Sequence, residues 1–137
     1  MRTRHILAAL IALSAGCSDA TAPRLTSPTE VVLAIGREVR VDSLLQLTFL
    51  KVTADSRCPA QAECFWAGDA AVAIACRVGT GPSYADTLHT TLDARNVAFA
   101  DWSITLVGLT PYPDTPTPIP AGRYVARLRI ERLPLPD

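Results

Sequence analysis

Histidine is almost missing from this sequence. Of 137 residues, two are histidine: His5, close to the N-terminus, and His89. Zinc sites draw on Cys and His together, so a zinc centre would have to lean on the cysteines. Lysine is equally scarce. Arginine outnumbers it twelve to one, a bias read as genome composition and not as function. Long apolar runs are absent too: Ile6–Ala15, ten residues, falls short of the roughly 20 that cross a bilayer as a helix. No Gly-x-Ser-x-Gly elbow, Ser-x-x-Lys pair or Gly-rich phosphate loop occurs. No long helical period and no internal repeat are found. These gaps leave no recognisable catalytic constellation and imply no cofactor.

What is present begins with "MRTRHILAALIALSAGCSDA". Arg2 and Arg4 precede the apolar run, and small residues lead into Cys17, the layout of an export signal. The run ending Leu13-Ser14-Ala15-Gly16-Cys17 resembles the lipobox of bacterial lipoproteins, with Ser14 where Leu is usual and Leu13 one step earlier. The resemblance implies cleavage before Cys17, a lipid on its thiol and an acylated amine. An ordinary signal peptide cut nearby is the alternative. Each buried CH₂ contributes about 0.8 kcal/mol, so two or three chains hold a small domain on a membrane. Ser18 is not the acidic residue that keeps enterobacterial lipoproteins on the inner membrane. The resemblance therefore points to the outer membrane of a diderm cell.

The expected organisation is a signal peptide over 1–16, a lipid-anchored tether over 17–29, one domain over 30–133 and a tail over 134–137. The tether is polar, with two prolines and no core of its own. Without Arg2 and Arg4, eleven basic side chains face thirteen acidic ones, a net charge of −2. That does not suggest nucleic acid binding.

Along the domain, two-residue alternation dominates. Glu30–Ile35 and Glu38–Val41, split by Gly36 and Arg37, read as a hairpin. Leu44–Thr53 reads as a strand whose period slips near Phe49 and Leu50, the mark of a bulge. Asp69–Val78 places Val72, Ile74, Cys76 and Val78 on one face. Tyr84–Leu92 is Thr-rich, as in an edge strand. Asp93–Asp101 reads as a loop anchored by Phe99, and Trp102–Leu109 as a strand. Thr110–Pro120, five prolines in eleven residues, reads as a stiff crossover between sheets. Gly122–Arg132 turns Tyr124, Ala126, Leu128 and Ile130 inward and Arg123, Arg127, Arg129 and Glu131 outward. The expected class is all-β: an antiparallel β-sandwich of immunoglobulin-like size with about seven strands.

One stretch stands apart: "DSRCPAQAECFWAGDA", Asp55–Ala70. With Cys17 lipidated, Cys58, Cys64 and Cys76 remain in an export compartment that permits disulfides. Cys58 and Cys64 are separated by five residues in one loop and form the natural pair, with Cys76 buried on its strand. Pairing of either with Cys76 is the rival. Five intervening residues do not give a Cys-x-x-Cys redox centre. The pattern "DSRCP", four residues, then "CFWAG" resembles small bacterial secreted proteins and lipoproteins that have no assigned chemistry. A later "LTPYP" and a final "Y-x-A-x-L-x-I" strand extend the likeness over most of Leu44–Ile130. It implies a loop between two strands and supplies no activity, so it is a clue to the fold alone.

Asp55, Glu63 and Asp69 are the candidate ligands for a divalent ion or small molecule, calcium in particular, although no dense acidic loop is present. In the structural reading, Arg57 pairs with one of these acids and Gly68 provides a special backbone angle. Phe65 and Trp66 straddle the start of the next strand, one facing the core and the other lying over the disulfide. His89 with Cys76 as base and nucleophile is the weaker chemical alternative, since nothing in the sequence orients the histidine. The arginine row of the last strand is either solvated or turned to an anionic surface. The functional expectation is an exported lipoprotein carrying a non-enzymatic binding module, attached to the membrane by its lipid. Its partner would be an envelope protein or a small ligand. The alternatives are the ion site and a purely structural envelope role.

Overall fold

The computed structural model describes residues 28–91 and 93–134. Cys17, the signal segment and nearly all of the tether lie outside the described residues.

Eight strands form two four-stranded antiparallel sheets packed as a sandwich. The first sheet runs β1 (Thr29–Ala34), β8 (Val125–Arg132), β7 (Trp102–Thr110), β6 (Asn96–Phe99) across its width. The second runs β2 (Glu38–Arg40), β3 (Leu45–Asp55), β4 (Ala70–Val78), β5 (Ser83–His89). Alternation builds the core. Leu45, Leu47 and Phe49 of β3 and Val72, Ile74 and Cys76 of β4 meet Ile104, Leu106, Leu128 and Ile130 from the other sheet. Tyr124 joins them just before β8.

The expected class holds, and several details change. There are eight strands, not seven, because Asn96–Phe99 pairs with Trp102–Thr105. Four residues with one large side chain carry too little alternation to stand out. The first two strands are not a hairpin: β1 pairs with β8 and β2 with β3. The turn itself is real, with Gly36 at φ 75° and Arg37 N–H donating to Ala34 O. It carries the chain from one sheet to the other. The bulge lies between Phe49 and Lys51, with a second shift between Val52 and Ala54. The proline segment is not a crossover between sheets either. It joins β7 to β8, neighbours in one sheet, as a long excursion.

The sandwich has two poles. At one, β1 begins at Thr29 beside Ile130, and Trp102 lies opposite Arg132. Arg132 there bridges Asp42 and Asp101. At the other, β3 ends at Asp55, β4 begins at Ala70, and the proline segment leaves β7. Asp55–Ala70 and Thr110–Tyr124 therefore meet at this second pole.

Candidate functional site: the loop pole

The loop between β3 and β4 continues their ladder before it closes. Ser56 N–H donates to Asp69 O and Cys58 N–H to Ala67 O, both at 2.7 Å. Gly68 sits at φ 70°, and a Cβ there would lie 1.8 Å from Ser56 O. Only glycine fits, which gives the special backbone position a steric cause. Cys58 and Cys64 are at bonding distance, S–S 2.11 Å. Inside the ring, Ala62 N–H donates to Pro59 O to form a turn. The proline segment lies alongside: Ala60 N–H donates to Pro113 O, Gln61 N–H to Asp114 O and Gln61 Nε2 to Asp114 Oδ2.

Beneath the loop, Arg57 is buried at 6 % exposure. Its Nε and Nη2 grip both oxygens of Asp55, at 2.8 and 2.6 Å. Nη1 donates to Leu109 O and Nη2 also to Pro111 O, both at the foot of the proline segment. Tyr112 covers the guanidinium, with its ring 5.1 Å from Arg57 Cζ. Tyr124 donates its hydroxyl to Asp55 Oδ2 at 2.9 Å. Burial alone would raise the Asp55 carboxyl, but the Arg57 and Tyr124 hydrogen bonds outweigh it and hold the group below the usual carboxylate range. Burial and the bond to Asp55 push the Tyr124 phenol up. A buried charge needs such partners to persist. A cleft of about 320 Å³ opens above this network, walled by Val52, Pro113, Ile119 and Tyr124.

Asp69 faces a different set of groups. Its Oδ1 accepts from the backbone N–H and the hydroxyl of both Thr90 and Thr91, at 2.9–3.1 Å. Its Oδ2 lies 2.5 Å from His89 Nδ1. Partial burial pushes this carboxyl up, yet His89 and the two threonines together bring it down to about 2. An ionised carboxylate only accepts, so His89 Nδ1 carries the proton toward it. The histidine that nothing in the sequence oriented is thus oriented by Asp69. It does not meet Cys76. His89 pairs with Ala71 on the outer side of β4, whereas Cys76 faces the core. Burial, with Asp86 nearby, raises the Cys76 thiol to about 12. Among the described residues, no hydroxyl or thiol hydrogen-bonds to His89 Nε2.

The three candidate ligand carboxylates do not converge. Asp55 turns under the proline segment, Asp69 turns to the β5–β6 turn, and Glu63 is exposed on the ring. Among the described residues no group of three or more His, Cys, Asp or Glu side chains is placed to hold a metal ion. The oxygens of Asp55 and Asp69 already accept from protein donors.

The aromatic pair overturns the expectation of one ring in the core. Phe65 is fully exposed and Trp66 is 78 % exposed, with ring centroids 6.4 Å apart. The two follow Cys64 on the part of the loop that the ladder pushes outward. A shallow recess of about 430 Å³ lies at the foot of Trp66, lined by Ser56, Gly68, Asp69 and Thr91.

No family model, curated protein or solved structure matches this chain.

The sequence points Arg57 at an acid but carries no direct sign of Tyr124 as the third member. It carries none of Thr90 and Thr91, since their tie to Asp69 spans about 20 residues. The inward side of the last strand was the available signal for Tyr124. No comparable signal marked the threonines.

Proposed function

We propose that this protein is an envelope lipoprotein, held to the membrane through Cys17, whose sandwich is a non-enzymatic binding domain with the loop pole as its contact surface. The observation that carries the reading is the Phe65–Trp66 pair. Large rings exposed side by side carry an unfavourable hydration cost that a partner relieves. Their loop is braced by the disulfide, by the close approach at Gly68 and by the Arg57–Asp55 pair. A braced surface loses little conformational entropy on binding. Tryptophan is also among the residues that most often dominate interface energetics. The lipobox likeness and the polar segment after it support placing this surface on the outside of the cytoplasmic membrane.

Two experiments test the reading. Replacing Cys17 with Ala should release the protein from the membrane fraction; unchanged membrane association removes the anchor. A photo-crosslinking amino acid at position 65 should give discrete adducts in living cells. The same group at position 32, on the exposed face of β1, should not. Equal or absent adducts at the two positions would falsify the binding surface.

A further inference from the structure

Resting on that binding reading, we infer that the Phe65–Trp66 tip docks a basic, apolar segment of a partner protein, and that it faces away from the membrane holding the lipid. The first argument is charge. Glu63, two residues before Phe65, and Asp114, bonded to Gln61 of the disulfide ring, are exposed carboxylates, and neither has an ion-pair partner among the described residues. The one basic residue in 56–69 and 110–120 is Arg57, buried and closed onto Asp55. Arg123 stands at the root of the proline segment, and the β5–β6 turn carries one acid and one base, Asp93 and Arg95. A group arriving at the tip therefore meets two ring faces and uncompensated negative charge. Guanidinium and ammonium groups are drawn to both. Anionic headgroups and nucleic acid are repelled by the same carboxylates.

The second argument is where the chain enters. Thr29 begins β1 at the pole opposite the tip. Between the tip's pole and Thr29's pole runs β3, eleven residues and about 35 Å long. The eleven residues from Ser18 to Pro28 span at most about 38 Å when fully drawn out. The tip reaches the anchoring membrane end-on only with that segment pulled straight, which gives up its conformational entropy. The surface is thus presented to a partner on the other side.

The test uses the full-length chain, purified from membranes in its processed form. A random dodecapeptide phage library is selected on it, and clones that also bind Trp66→Ala are removed. Enriched peptides should be net positive with interspersed apolar residues. Their synthetic copies should bind about tenfold or more weakly to Trp66→Ala and lose affinity on Glu63→Gln and with added salt. Enrichment of neutral or acidic peptides, or of none that depends on Trp66, overturns the inference. In a second arm the lipidated protein sits in phosphatidylcholine–phosphatidylglycerol vesicles containing a brominated lipid. The Trp66 emission, taken as wild type minus Trp66→Phe, should stay unquenched. Quenching overturns it in favour of a lipid contact. Self-association that Trp66→Ala abolishes overturns it in favour of a second copy. The two readings fail separately: no adduct from position 65 removes the binding surface, whereas adducts without basic selected peptides remove only this inference.

Discussion

Trp102 stands at one pole of the sandwich, 2 % exposed beneath the Arg132 guanidinium at 4.5 Å. Trp66 stands at the other, 78 % exposed beside Phe65. Both follow the same chemistry up to a point, a large ring on a backbone held by hydrogen bonds. The difference is what the neighbouring residues supply. Trp102 belongs to an alternating strand, so its ring goes where Ile104 and Leu106 go. Trp66 belongs to a loop whose inward positions are already filled by buried Arg57 and half-buried Cys58. The rigidity that the first pole gains from apolar packing, the second gains from an ion pair, a covalent ring and a glycine contact.

If that division is right, damage to the loop pole should come from polar and backbone changes. The largest effect is expected at Arg57. Arg57→Ala leaves the Asp55 carboxylate at the end of β3 without its ion-pair partner and frees Leu109 O and Pro111 O. Breaking one side of a buried pair costs about 3–5 kcal/mol, and urea unfolding measures it. The proline segment should also become more open to protease. A loss below about 1 kcal/mol would mean that Arg57 is not the loop's anchor. Next comes the disulfide. Replacing Cys58 and Cys64 together by Ser should cost about 2 kcal/mol, the entropy of closing a short ring. Chemical denaturation of the double variant checks this, and a change in its m-value would reveal an altered unfolded state.

The sandwich itself was readable in the sequence because its strands carry their own pattern. Tyr124, Ala126, Leu128 and Ile130 alternate with Val125, Arg127, Arg129 and Glu131, and each of the four is buried. The Cys58–Cys64 pair was readable from spacing, and the bulge from the slip at Phe49 and Leu50. What could not be read depends on pairs distant in sequence. Glu30–Ile35 and Glu38–Val41 look like a hairpin locally, yet β1 finds its partner about 100 residues later. Arg57 shows its charge but not which carbonyls it reaches. Asp55, Glu63 and Asp69 look alike in one loop, and only the fold sends Asp55 to Tyr124 and Asp69 to Thr90 and Thr91. The exposure of Phe65 and Trp66 was hidden for the same reason: hydrophobicity predicts burial, and the inside of this loop was already occupied.

Acid distinguishes the poles more gently. The Asp69 carboxyl lies at about 2 when folded, below the ordinary aspartate value of 3.8. A depressed carboxylate adds stability that is fully present above the unfolded value and is lost as pH falls through the folded one. The window therefore runs from about pH 4 down to about pH 2. At this partly exposed site the contribution is about 1–2 kcal/mol once solvent screening is allowed for. Asp69→Asn should remove that part of the acid sensitivity and leave the part due to Asp55, which is also lowered. Thermal melts between pH 2 and 5 measure the difference between the two proteins. Identical pH profiles would show that Asp69 gains nothing from its threonines and histidine.

The smallest effect is expected where the ring is largest. Trp66→Ala removes an indole that makes little contact with the fold, so stability should move by no more than about 0.5 kcal/mol. Trp102→Ala, at the other pole, should cost about 3–5 kcal/mol because it opens a cavity in the core. The pair of variants is informative because the chemical change is the same. If Trp66→Ala also proves strongly destabilising, the ring packs onto the loop in solution, and its exposure no longer argues for a partner. If it is silent while Trp102→Ala unfolds the domain, Trp66 contributes nothing measurable to the fold. A large ring held in water by a braced loop, and not needed for folding, is then free to act in the contact proposed for it, which the crosslinking at position 65 tests.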